Sequence, residues 1–128
     1  MPKKIVRTKK APAPIGPYSQ GVMAGSLVFA SGQTPIDPQT GELIAGDIGA
    51  QTAQAILNLQ AVLEAAGSSL ERVVKATVFL ADMNDFAAMN EAYGRFFTQE
   101  PPARTTIQAA ALPRNARVEI ELIAVLDK

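Results

Sequence analysis

The sequence predicts an α+β fold in which a mixed sheet of about six strands carries two helices on one face. Three observations predict it. Residues 48–66 space their apolar side chains as a helix does, between Asp47 and Gly67. A second helical stripe occupies 86–98. Around both lie short β-rich runs, cut by glycine and proline.

The elements follow in chain order. Five of the 12 basic residues (Lys3, Lys4, Arg7, Lys9, Lys10) fall in the first ten positions, around Ile5. A basic arm suits a nucleic acid. It suits equally a short solvated edge strand whose charges deter aggregation, and that is the favoured reading. Residues 11–18 hold three prolines and a glycine and predict an ordered, irregular connector. Residues 20–31 predict two short strands joined by a turn at Ala24-Gly25-Ser26. Residues 31–46 predict a loop, with a turn at Asp37-Pro38-Gln39-Thr40-Gly41.

Asp47 is placed to cap a helix over 48–66. Ile48, Ala55, Ile56, Leu59, Val62, Leu63 and Ala66 form its apolar stripe, and Gly67 closes it. The run RVVKATVFL, ending at Leu80, predicts a strand; strand, helix and strand make a βαβ unit if the two strands pair in parallel. A second helix is expected from Phe86 to Thr98, capped by Asn84 or Asp85 and ended by Pro101-Pro102. Its stripe is Phe86, Met89, Tyr93 and Phe96/Phe97. Strands are expected at 104–109 and 117–126. In the last, Val118, Ile120, Leu122 and Ala124 alternate against Glu119, Glu121, Ile123 and Val125. Two helices cover one sheet face, so the apolar residues of the other predict a homo-oligomer. No linker or repeat divides residues 1–128, which predicts one domain.

Composition narrows the chemistry. The chain of 128 residues has no Cys and no His. That excludes thiol nucleophiles, disulfides, Cys/His zinc sites and imidazole acid–base pairs. The 12 acids cancel the 12 bases, giving a net charge of +0. Neutral charge and few aromatics argue against a nucleic-acid partner. Apolar runs of about ten residues are too short to cross a bilayer. The basic N-terminus lacks the apolar segment of a signal peptide, so a cytoplasmic location is expected.

A few residues remain that could carry chemistry. Arg104 follows the rigid Pro101-Pro102 pair at the start of a strand, where its guanidinium could meet a carboxylate bidentately; it could equally be an exposed strand-end arginine. Glu119 and Glu121 share one strand face. They read as a solvated charge ladder with Arg117, or, if one lies in a cleft, as a desolvated proton shuttle. Gly16-Pro17-Tyr18-Ser19-Gln20 and Ser31-Gly32-Gln33 gather amides and hydroxyls at strand ends, suited to a small anion or simply to turns. Asn90, on the second helix, reaches a ligand or faces water.

Five ordered blocks extend this reading: APIGPYSQ, FASGQTPIDPQTGEL, QTAQAILNLQAVLEAAG, VVKATVFLADMNDFAAMNEAYGRFF, and PPARTTIQAAALP followed by VEIELIA. Together they resemble the RidA/YjgF family of reactive intermediate deaminases over nearly the whole chain. The resemblance implies a chorismate-mutase-like α+β subunit assembled as a homotrimer, with sites in clefts between subunits and no cofactor or metal. The implied reaction is hydrolysis of enamines and imines of the 2-aminoacrylate/2-iminopropanoate class to 2-oxoacids and ammonia. By the family's pattern Arg104 holds the substrate carboxylate with the Gly32 N–H. Tyr18, Ser31 and Asn90 line the pocket. Glu119 positions water and moves protons, and the Thr106 carbonyl helps hold that water. Many bacterial members carry Cys where this chain has Thr106. The other readings are a non-catalytic binder of 2-oxo or 2-imino acids with the same fold, and an endoribonuclease or translation inhibitor.

Overall fold

The computed structural model describes residues 2–126. One six-stranded sheet runs in the order β1-β2-β3-β6-β4-β5. Its strands are β1 (Lys4–Val6), β2 (Gly21–Ala24), β3 (Leu27–Gln33), β4 (Val73–Leu80), β5 (Ala103–Gln108) and β6 (Val118–Val125). Helices α1 (Ile48–Ala65) and α2 (Phe86–Gly94) follow β3 and β4. The α+β expectation therefore holds, with the short basic strand β1 at one edge.

The sheet is mixed because of how its connections fall. β2 and β3 form a hairpin whose two-residue loop starts at Gly25, where φ is 60° and a side chain would be strained. β4 and β5 pair in parallel, joined by the crossover through α2. The unit expected between β3 and β4 is split: the last strand, β6, lies between them and pairs antiparallel with both. Its alternation explains the position. Val118, Ile120, Leu122 and Ala124 are all buried, so β6 belongs at the centre.

α1 forms as its sequence dictates. Asp47 Oδ1 accepts from the Ala50 N–H at 2.9 Å. Gly67, at φ 88°, turns the chain back so that Ser68 N–H reaches Leu63 C=O at 2.8 Å. Ile48, Ala55, Ile56, Leu59, Val62 and Leu63 are buried in one core with the inner faces of β3, β4 and β6, while Ala66 is half-buried. Asn58 is buried in the same stripe. Its amide donates to the Ile36 and Thr34 carbonyls at 2.9 and 3.2 Å and accepts from Gln54 at 2.9 Å. It fastens the loop after β3 to the helix.

α2 begins at Phe86, as expected, but departs from expectation in its capping and at its C-terminal end. It stops at Gly94, four residues short of Thr98 and well before Pro101-Pro102. Beyond it, Arg95 and Phe96 donate to Ala92 and Tyr93, three residues back. This tighter turn swings Phe97 into the core, its ring centroid 4.6 Å from that of Tyr93. At the start, neither Asn84 nor Asp85 supplies the side-chain cap. Asp82 does, accepting from Asn84 N–H at 2.9 Å ahead of a 3₁₀ turn over Met83–Asp85. Asp85 pairs instead with Arg117 at 3.0 Å. The charge ladder of Arg117 with Glu119 and Glu121 is therefore not formed.

The N-terminal connector is held by one side chain. The buried Gln20 amide accepts from Thr8 N–H at 2.8 Å and donates to the carbonyls of Pro12, Thr8 and Ala11 at 2.9, 3.0 and 3.3 Å. On the sheet face away from the helices, register aligns Ile5, Val22, Phe29 and Ile123 in one row. Phe29 stays 42% exposed, as do Ile107 at 44% and Val125 at 36%, so this face is apolar and uncovered in the single chain.

Asn58→Ala should destabilise the fold by roughly 1–3 kcal/mol, read by urea denaturation, because the Ile36 carbonyl loses its side-chain donor and the Thr34 carbonyl keeps only the Ile36 N–H.

Candidate functional site

Arg104 is the second residue of β5. Register pairs it with Ala76 and, one strand further, Ala76 with Leu122, so its side chain lies on the helix-covered face. β5 is an edge strand, and α2 only half-covers it there. The guanidinium carbon sits 4.8 Å from the Tyr93 ring centroid and 5.6 Å from that of Phe86. Two aromatic faces thus hold the cation in place. No carboxylate of the described residues pairs with it. Thr106 points to the same face two residues on, and Asn90 lies one turn before Tyr93 on α2. Thr106 Oγ1, Asn90 Oδ1 and the Tyr93 hydroxyl are all buried without a hydrogen-bond partner. Burial pushes the Tyr93 hydroxyl pKa up, against a smaller opposing pull from Arg104. A guanidinium with no carboxylate partner, held by rings that leave its N–H donors available, is suited to a small oxyanion.

Glu119 stands on the other face. It is the second residue of β6 and pairs with Phe79. Its carboxylate lies directly over Gly32: a Cβ built on that glycine would be 2.5 Å from Glu119 Oε2. Only glycine permits this approach. Desolvation raises the Glu119 carboxyl pKa, and the nearby charge of Glu121 raises it further. The carboxylate borders a cavity of about 260 Å³ shared with Tyr18, Gly32, Ile36, Pro113 and Arg114. Arg114 adopts φ 56°, donates to Gly41 C=O at 2.8 Å and lies 3.8 Å from Glu42. Tyr18 is 52% exposed; its hydroxyl accepts from the Ile15 N–H at 3.3 Å, so it is a wall of the cavity and not a core residue.

The residues singled out from sequence therefore fall into two groups. Tyr18, Gly32 and Glu119 meet at one cavity. Asn90, Arg104 and Thr106 gather under α2. Ser31 joins neither: its hydroxyl donates to Ser19 C=O at 2.6 Å, and the residue lines a separate hollow with Lys75 and Glu121. Strand alternation keeps Arg104 and Glu119 on opposite faces, so a single chain does not bring them together. Phe86 and Tyr93 were legible only as a helical stripe. Their role against Arg104 depends on the parallel β4–β5 pairing. Among the described residues, no group of three or more acidic side chains gathers where a metal ion could be held.

Comparison with known proteins gives this geometry a lineage. The family described as Endoribonuclease L-PSP matches residues 8–126. The chain belongs to this family, the YjgF/RidA family. A RutC family protein of Pyrococcus horikoshii is 52% identical over 122 residues, covering 95% of this chain and 97% of that one. The 2-iminobutanoate/2-iminopropanoate deaminase of Mus musculus is 50% identical over 123 residues, covering 96% and 91%. The crystal structure of E. coli TdcF with bound serine superposes with a TM-score of 0.92 at 47% identity, covering 97% of this chain and 99% of that one. YjgF/RidA relatives thus carry deaminase, RutC and endoribonuclease names on one fold.

Glu119 should leave a stability signature. Its folded-state pKa lies above the unfolded one, so its ionised form carries a penalty that is present at neutral pH. The penalty shrinks as pH falls through the folded value and is gone below the unfolded one. Glu119→Gln should therefore unfold at higher urea than wild type at neutral pH, with the difference closing on acidification.

Proposed function

We propose that this YjgF/RidA protein is a hydrolytic deaminase of reactive enamines and imines, the 2-aminoacrylate/2-iminopropanoate class. It works as a homotrimer in which Arg104 of one subunit faces Glu119 of the next. The observation that carries the proposal is the opposition of two incomplete half-sites: an unpaired, ring-held guanidinium on one sheet face and a desolvated carboxylate over Gly32 on the other. A second copy on the uncovered apolar face joins them. Deaminase names on relatives at about half identity support the same reading. The expected setting is the cytoplasm, where such intermediates arise.

The chemistry asks little of the protein. Arg104 takes the substrate carboxylate bidentately, helped by the Gly32 N–H, and Tyr18 and Asn90 close the pocket. The enamine tautomerises to its imine. Water, oriented by Glu119 and the Thr106 carbonyl, adds to the imine carbon. Glu119 accepts the water proton and returns it to the departing nitrogen, and the carbinolamine C–N bond breaks. Imine and water give 2-oxoacid and ammonia in balance. A carboxyl with a raised pKa suits this two-way traffic, a contribution of roughly 10²–10⁴-fold. Thr106 supplies its backbone oxygen, so the replacement of the family's frequent Cys leaves the reaction intact.

The test generates the imine in situ from threonine with a pyridoxal-phosphate dehydratase and follows ammonia release. Arg104→Ala and Glu119→Gln should each abolish acceleration. Co-refolded together they should recover about a quarter of the sites, since one cleft in four then draws both intact residues. No recovery from assembled mixed oligomers refutes the shared site. Tyr93→Leu should weaken binding of 2-oxobutanoate by about three- to thirtyfold, while Tyr93→Phe, which keeps the ring, should not. Binding of 2-oxobutanoate without any turnover would identify a metabolite-binding protein instead, a reading that the serine-bound relative favours.

A further inference from the structure

A cavity larger than the one that holds Glu119 lies next to it. It is an open groove of about 670 Å³ between β1 and the connector, lined by Ile5, Arg7, Lys9, Pro14 and Tyr18 among others. Two observations make it more than a surface hollow. First, its charge has one sign. The first acid of the sequence is Asp37, so the five cations at positions 3–10 have no acidic neighbour along the chain. None of the five forms an ion pair among the described residues. Second, the groove adjoins the Glu119 cavity. Tyr18 and Ala13 are walls of both.

We infer that Arg7 and Lys9 form an electrostatic guide that draws the substrate carboxylate toward the Glu119 cavity. The inference rests on the deaminase site proposed above and adds residues outside it. The physical need is clear. The chain has a net charge of +0, so no global field attracts an anion. The cavity itself carries a carboxylate that repels one whenever it is ionised. A cluster of unpaired cations at the mouth offsets that repulsion locally without touching the reacting atoms. Such a guide acts over about one Debye length, roughly 8 Å at 0.15 M salt, so its contribution falls as salt rises. It alters capture, not chemistry.

The test compares wild type with Arg7→Gln/Lys9→Gln between roughly 20 and 300 mM NaCl. Titration calorimetry with 2-oxobutanoate reads capture alone; ammonia release from threonine-derived imine reads turnover. Wild-type affinity should fall several-fold across the salt range. The double variant should bind about two- to fivefold more weakly at low salt, with a flatter salt dependence, a raised KM and an unchanged kcat. Identical salt slopes and KM for the two proteins, with wild type active, overturn the guide and leave the deaminase reading standing. Wild type that neither binds 2-oxobutanoate nor releases ammonia overturns both. If the substitutions abolish binding of a single-stranded oligonucleotide while leaving the affinity for 2-oxobutanoate unmoved, the groove serves a polyanion and the guide is refuted.

Discussion

The two-residue alternation of β-strands governs this molecule. Each strand of the sheet sends one set of side chains under α1 and α2 and the other set to the uncovered face. Arg104 and Glu119 obey that rule like every other residue. Their register puts the cation on one side and the carboxylate on the other, and no side-chain rotation can exchange them. The apolar face and the separation of Arg104 from Glu119 have the same origin: a sheet with only two helices to cover it.

The surroundings of Arg104 and Glu119 are built by opposite devices. Around Arg104 the chain surrounds a charge with rings. Tyr93 and Phe86 stabilise the guanidinium without consuming its N–H donors, which a carboxylate partner would do. Around Glu119 the chain removes water and puts bare backbone against the acid, so that ionisation is disfavoured. One device keeps a charge available; the other favours a protonated carboxyl. Both depend on small local choices, an edge strand that α2 half-covers and a glycine at position 32.

Much of the fold was legible in the sequence because local signals agreed. Asp47 and Gly67 bracket α1, Gly25 fixes the hairpin, and the alternation of β6 announces its buried face. What was not legible required knowledge of pairing. The insertion of β6 between β3 and β4 depends on which faces meet, which no local pattern reports. The early end of α2 follows from a 3₁₀ turn that lets Phe97 reach Tyr93, a tertiary contact overriding helical spacing. In the candidate site, Arg104, Glu119 and Gly32 could be singled out from spacing and resemblance, and Tyr18 from its place in the connector. Ser31 could not be separated from them, because only the structure shows its hydroxyl spent on Ser19. Tyr93 and Phe86 stayed hidden because a residue that packs and a residue that cradles a cation share one periodicity.

The Gln20 carboxamide has a further consequence for how this chain can vary. It grips Thr8 by both backbone groups and the connector by two more carbonyls. The clasp therefore fixes the chain at Thr8, the residue where the family match also begins. Ahead of that clasp Val6 is buried in the core and β1 pairs with β2, whereas Lys3, Lys4 and Arg7 are exposed. Charge at those exposed positions can therefore change while the sheet edge and the wall formed by Tyr18 stay where they are.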